Sequence, residues 1–210
     1  PVLLTADDYV QSGSEPVGED VAKVRCSGYI VPEPQEVHNR LSKGRFSIGM
    51  DTCIVVDADA EEKDLWAIED INATIEKLGG RRLAIVRSDE FGSEVDSAHN
   101  VIIVGECARN RLLWAVCNRD CVRMPRSRYS TGAYVIDALT SRVVVTGTSN
   151  VDTYYGVQTL KQLIRRDEDG NIYVSAVNIR DFSRFAFRAV HLLTSRDALS
   201  YISKLIANVL

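Results

Sequence analysis

Two β-branched runs, Ala133-Tyr134-Val135-Ile136-Asp137 and Arg142-Val143-Val144-Val145-Thr146, are separated only by Ala138 to Ser141. A crossover between parallel strands needs about a dozen residues or more, whereas antiparallel neighbours are joined by short turns. The spacing predicts a hairpin, which argues against a purely parallel sheet. Upstream, the pattern alternates between strand and helix. Thr52–Asp57 is a short apolar run of the kind a buried strand shows. Over Asp64–Leu78, Leu65, Ile68, Ile71, Ile75 and Leu78 recur at the spacing of one helix face. Gly79-Gly80 follows, where a helix C-terminus favours a residue free to take positive φ.

Strand-like runs return at Arg82–Arg87 and at Val101–Val104. The second leads through Gly105 into a predicted helix containing Leu112, Leu113 and Val116. Ser149 or Asn150 can cap a helix from about Val151 to Arg165, with Asp152 near its positive end and Leu160, Leu163 and Ile164 on one face. Arg165–Gly170 reads as a solvated turn, and a strand around Ile172–Val177 closes the module. The expected fold is α+β, a mixed β-sheet covered by two or three helices.

Composition narrows the function classes. With 45% hydrophobic and 26% charged residues, the 210-residue chain can bury a sizeable core and is not disordered. No apolar run reaches the ~18 residues a membrane-spanning helix needs, so no membrane partner is expected. A net charge of −4 argues against nucleic acid, which calls for a basic face. Cys26, Cys53, Cys107, Cys117 and Cys121 read mainly as small buried hydrophobes. Cys117 and Cys121 could sit one helical turn apart, but no second Cys or His pair lies at metal-site spacing, and no metal or cofactor is expected. Residues 1–25 lack the basic start and apolar core of a signal peptide, and Ser12–Asp20 has a linker composition.

After Asp181 the pattern restarts. Phe187–Leu193 is another apolar run, Ser195 can cap a helix, and Leu199, Ile202, Leu205, Ile206 and Val209 continue at helical spacing. The expected division is a leader and linker over 1–28, an α+β domain over 29–180, and over 181–210 one β-α unit of a further domain. The helical pattern still runs at Leu210, so the natural protein is expected to continue, a genuine C-terminal helix being the alternative.

Several blocks together carry a resemblance. Tyr29-Ile30-Val31-Pro32-Glu33-Pro34-Gln35 resembles the "PxPQ" entry of the N-terminal module of hexosaminidase-type enzymes of glycoside hydrolase family 20. Gly132–Ile136, Val143–Gly147 and Tyr155-Gly156-Val157-Gln158-Thr159-Leu160-Lys161-Gln162-Leu163 resemble that module's two strands and its "YGxQTLxQL" helix, in the expected order. Asp181–Ala189 resembles the "DxPRFxxRG" junction into the first strand of the catalytic barrel, and Leu192–Arg196 resembles "LDTSRH" at that strand's end. Ser183, Ala189, Leu193 and Asp197 depart from the usual Pro, Gly, Asp and His. The resemblance implies a truncated (β/α)8 barrel beginning near residue 181 and a catalytic Asp-Glu pair beyond Leu210. It therefore implies no catalytic residue in this chain. It further implies an N-acetylated glycan as the parent's substrate, the barrel of the same polypeptide as partner, and a secreted or periplasmic setting.

Arg188 matches the arginine that reaches the bound sugar in that family, where a guanidinium fork suits paired hydroxyls. Its bland alternative is a salt bridge at the domain junction, the role expected for Arg196. Tyr154, Tyr155, Gln158 and Gln162 could form a carbohydrate-facing strip, but Tyr155 is expected to pack in the core and Gln158 to tie helix to loop. His38, His99 and His191 are scattered and read as structural, and the Glu61–Asp64 run as a solvated helix start. Gly105 and Gly147 flank a strand end and a helix start, but neither belongs to a phosphate-binding fingerprint. Three functions compete: a non-catalytic domain supporting a glycosidase barrel, a glycan- or protein-binding module without hydrolase activity, and an independent α/β enzyme. The last needs a phosphate loop or a convergent acid, base and nucleophile, which the sequence does not present.

Overall fold

The computed structural model describes residues 30–39, 44–60, 62–91, 99–125 and 132–185. In chain order the elements are β1 (Glu36–Asn39), β2 (Arg45–Ile48), β3 (Cys53–Val56), α1 (Glu62–Lys77), β4 (Ala84–Arg87), α2 (Ser88–Phe91) and β5 (Val101–Glu106). They continue with α3 (Arg111–Arg119), β6 (Tyr134–Ala138), β7 (Arg142–Gly147), α4 (Asn150–Leu163), β8 (Ile164–Arg166), β9 (Ile172–Ser175) and β10 (Val177–Asp181).

The predicted hairpin is the centre of the molecule. β6 and β7 pair antiparallel, with Ala138 opposite Val143, and the Leu139 N–H closes the turn on the Arg142 carbonyl at 2.9 Å. A seven-stranded sheet grows from it in the order β1-β10-β6-β7-β5-β3-β4. The side built on β10 and β1 is antiparallel, and the side built on β5, β3 and β4 is parallel. Because successive strand residues point to opposite faces, β3, β5 and β7 each feed two cores. Ile54, Val56, Ile102, Val104 and Val145 pack under α1 and α4, while Val55, Ile103 and Val144 meet Leu112, Leu113 and Val116 of α3. Strands buried on both faces read as continuous apolar runs, as Val101–Val104 and Val143–Val145 do.

The helix ends follow from local chemistry. Gly79, at φ 82°, lets its N–H reach the Glu76 carbonyl while the Gly80 N–H reaches that of Ile75, a Schellman cap. Ser149 caps α4 by accepting the Asp152 N–H.

Three expectations need correction. The strand expected over Ile172–Val177 is two strands. β9 pairs with β2 and β8 in a separate three-stranded sheet, and at Ala176, whose N–H donates to the Gly44 carbonyl, the chain passes into β10 of the main sheet. The apolar positions step from Ile172, Val174 and Ala176 to Val177 and Ile179, a phase shift of one residue inside a single short run. The stretch Arg165–Gly170 is not wholly a turn: α4 gives way at Ile164 to β8, and the turn is confined to Asp167–Asn171, where Gly170 adopts φ 89°. Cys117 and Cys121 do not share a helix, because α3 ends at Arg119 and Cys121 sits beyond it at φ 53°. The leader, the β-α unit over Phe187–Leu210, and with them Cys26, Arg188, Ala189, His191, Leu193, Arg196 and Asp197, lie outside the described residues. No helix among the described residues is long and apolar enough to cross a membrane.

Candidate functional site: a latch between chain entry and exit

β1 and β10 run antiparallel with Glu36 opposite Arg180, so the chain enters and leaves the main sheet at the same end. At that end Asp181 faces Tyr134 across the β10–β6 pair. One Asp181 carboxylate oxygen accepts the Gln35 backbone N–H at 3.1 Å, and the other accepts the Tyr134 hydroxyl at 2.9 Å. Tyr134 is only 5% exposed, and its hydroxyl oxygen also lies 2.7 Å from Thr159 Oγ1 on α4. Burial and the Asp181 charge both push the Tyr134 phenol well above its ordinary range, so it stays a neutral donor.

Further contacts fix the same corner. Gln162 on α4 reads the backbone of Val31 in both directions, its carbonyl accepting the Val31 N–H at 2.8 Å and its amide donating to the Val31 carbonyl at 2.9 Å. Asp152, buried at the start of α4, accepts the Gly132 N–H at 2.7 Å and a hydrogen bond from Thr148. Gly132 has φ 86°, and a Cβ there would stand 2.0 Å from Ser183 Oγ. Gly156 lets α4 lie flat on the sheet, since its Cβ would meet Val145 Cγ1 at 2.8 Å. The described parts of the blocks singled out in the sequence, residues 30–35, 132–136, 155–163 and 181–183, therefore meet at one corner.

The suspected carbohydrate strip does not assemble. Tyr154 and Tyr155 are half-buried against the core, with ring centroids 6.4 Å apart and edge-on. Gln158 ties α4 to α1, not to a loop: its amide donates to Asp70 Oδ2 at 2.8 Å, beside Lys161 Nζ at 3.0 Å. The most exposed aromatic side chains on the helices, Trp66 of α1 and Trp114 of α3, stand on opposite faces of the sheet. His38 and His99 are exposed, and no group of His, Cys, Asp or Glu that could hold a metal ion exists among the described residues.

A second polar cluster lies at the carboxyl ends of β3 and β5, where no motif in the sequence marks it. Asp57 is 5% exposed and accepts the Glu106 N–H at 3.2 Å through Oδ2, while Oδ1 has no hydrogen-bond partner. Burial raises its pKa, against the pull of Asn110, the Glu106 N–H and Arg109. Gly105 is explained here, since a Cβ would stand 2.0 Å from Asp57 Oδ1; a Cβ on Gly147 would likewise meet Thr153 N at 2.3 Å. Both glycines serve close packing. Cys107 and Cys117 lie beside this cluster with their sulfurs 3.2 Å apart.

Residues 28–182 match the family model described as glycosyl hydrolase family 20, domain 2. No curated protein sequence is significantly similar to the chain. Among solved structures, a glycoside hydrolase family 20 β-N-acetylglucosaminidase superposes with TM-score 0.52 at 22% identity, covering 85% of this chain and 28% of that one. The family 20 β-N-acetylhexosaminidase of Streptomyces coelicolor A3(2) gives 0.53 at 19% identity, covering 86% and 33%. CpGH84B gives 0.58 at 18%, covering 84% and 27%. At these identities the likeness is one of fold, and the chain spans about a third or less of the proteins it resembles.

Proposed function

The chain belongs to glycosyl hydrolase family 20, whose domain 2 it carries over residues 28–182, and on that premise we propose that the domain is a non-catalytic support for a catalytic barrel on the same polypeptide. The observation that carries this reading is the latch. Asp181 is the last residue of β10 before the chain leaves toward Arg184, and its carboxylate is gripped by both the entry segment and the sheet. The departing chain is pressed on Gly132 at Ser183. Such a corner fixes the direction in which the next segment starts, which is what positioning a neighbouring domain requires. Two acidic side chains of this part of the sheet are committed to structure: Asp152 accepts from Gly132 and Thr148, and Asp137 accepts from Asn178 at 2.6 Å.

In this reading Arg188 opens the barrel and reaches an N-acetylated sugar with its paired donors. Hydrolysis itself falls to an Asp-Glu pair of the barrel, acting with the substrate's own acetamido group. The test is hydrolysis of a chromogenic N-acetylglucosaminide by the 210-residue chain and by a version extended through ~250–300 further residues, the size of such a barrel. Activity confined to the longer protein is the expected result. Turnover by the short chain would overturn the supporting role, and inactivity of both would move a binding function ahead of it.

A further inference from the structure

We propose that Cys107 and Cys117 form a thiol–disulfide exchange site, oxidised by small-molecule disulfides that reach it through the cleft beside α3. Nothing in the supporting role needs this pair.

The geometry carries the inference. The two sulfurs are 3.2 Å apart, and a disulfide at about 2.05 Å needs them to close by about 1 Å. Cys107 lies in the turn after β5, outside the strand ladder, where such a shift disturbs little; Cys117 is buried on α3 against Leu113 and Val144. The pair is unequally exposed, Cys107 half-buried and lining a cleft of about 480 Å³ with Arg109, Asn110, Arg111 and Trp114. The cleft is formed by the β5–α3 connection and the first turn of α3, from Cys107 to Ala115, so Cys107 lines it directly. Of its two arginines, Arg109 is paired with Asp59 at 3.0 Å and Glu106 at 3.1 Å, and Arg111 is exposed.

The chemistry is divided accordingly. The hydrogen bond shared with Cys117, helped by Thr146 Oγ1 at 3.4 Å, brings the Cys107 thiol down to about 7 against burial, whereas the same bond and burial push Cys117 up. Cys107 is thus the attacking thiolate at neutral pH and Cys117 the resolving thiol. Cys107 Sγ attacks one sulfur of the small disulfide, forming a mixed disulfide and releasing one thiolate. Cys117 then gives up its proton and attacks Cys107 Sγ, the second small thiol departs, and the intramolecular bond is made. The protein loses two electrons and two protons, and the small disulfide becomes two thiols.

Glutathione disulfide is the probe, read by intact mass and by tryptic mapping, since Arg109 and Arg111 separate the two cysteines into different peptides. The expected result is a Cys107–Cys117 crosslink that dithiothreitol reverses, formed before the exposed Cys121 is modified. Cys117→Ser should stop at a glutathione adduct on Cys107, and Cys107→Ser should leave Cys117 free. A crosslink of Cys107 to another cysteine overturns the proposal, as does glutathionylation of Cys121 with both members of the pair still reduced. The wild-type map decides the matter even if a variant fails to fold.

Discussion

Replacing Tyr134 by Phe removes one oxygen from the middle of the latch and leaves the ring where it is. Two groups lose a partner: Asp181 Oδ2, now 2.9 Å from the hydroxyl, and Thr159 Oγ1, at 2.7 Å. A hydrogen bond to a charged group contributes about 1.5–3 kcal/mol and a neutral one about 1 kcal/mol. Asp181 is only half-buried, so water recovers part of the first; Thr159 is 6% exposed and recovers little. The expected loss is about 2–3 kcal/mol, which at this chain length lowers the midpoint of thermal unfolding by about 5–10 °C. Urea titration of Tyr134→Phe, Asp181→Asn and the double variant supplies the coupling, which should be at least about 1 kcal/mol for directly bonded partners. A loss below about 0.5 kcal/mol, the level of an ordinary surface substitution, or additive single effects, would mean that the hydroxyl does not bridge the strands in solution, and the argument for a fixed exit direction would fall with it.

Gly132→Ala should cost about 2–3 kcal/mol, combining a left-handed backbone with a Cβ driven into Ser183, and Ser183→Gly should relieve part of that loss in a chemical denaturation series. Gln162→Ala should free the Val31 segment at a cost of about 1–2 kcal/mol, visible as faster amide exchange at Val31 and Gln35 with α1 unaffected. Asp57 has a raised folded-state pKa, so the folded form holds its proton more tightly than the unfolded chain; stability from this group is complete at acid pH and is lost as pH rises through the elevated value. Unfolding free energies measured across pH should therefore show a decline above the ordinary aspartate range that Asp57→Asn flattens. In the extended protein, Arg188→Lys should raise KM for an N-acetylglucosaminide while leaving the unfolding midpoint unchanged, whereas a salt-bridge role would move the midpoint and spare KM.

The long elements were legible because a single local rule specified each. The spacing of Ile68, Ile71 and Ile75 and the Gly79-Gly80 stop define α1, and the short gap before Arg142 defines the hairpin. The strand switch at Ala176 was passed over, because its only trace is a one-residue phase shift between Ala176 and Val177 inside a single short apolar run, and pairing with β2 or with β6 is what tells the two strands apart. β2 was missed for its length: Arg45-Phe46-Ser47-Ile48 buries one residue fully, Phe46, too little pattern to count. The latch was half legible. Its motifs were visible, but the partnership of Asp181 with Tyr134 depends on a register across strands 47 residues apart in sequence. The thiol pair was misassigned for the opposite reason, as an i, i+4 spacing drew attention to Cys121 while the true neighbour of Cys117 lies 10 residues away, in a turn.

The two halves of the sheet explain why both clusters exist without interfering. On the antiparallel side, β1 and β10 place the chain's entry into and exit from the sheet at the same end, so stiffness there matters more than an open crevice, and the polar groups of Asp181, Tyr134 and Gln162 are paired within the domain. On the parallel side the connections diverge to opposite faces beyond β3 and β5, and backbone geometry alone leaves a gap at their carboxyl ends. There the side chains are less completely satisfied, with Asp57 Oδ1 and Asn110 Nδ2 unpartnered and Cys107 facing the cleft. β7 separates the two, pairing with β6 on one side and β5 on the other. Oxidation of the thiol pair should consequently leave amide exchange at Gln35 and Asp181 unchanged while slowing it in the connection from Cys107 to Asn110. Slowing at both would show that the halves are mechanically coupled through β7 and that the redox state of one side reaches the exit of the other.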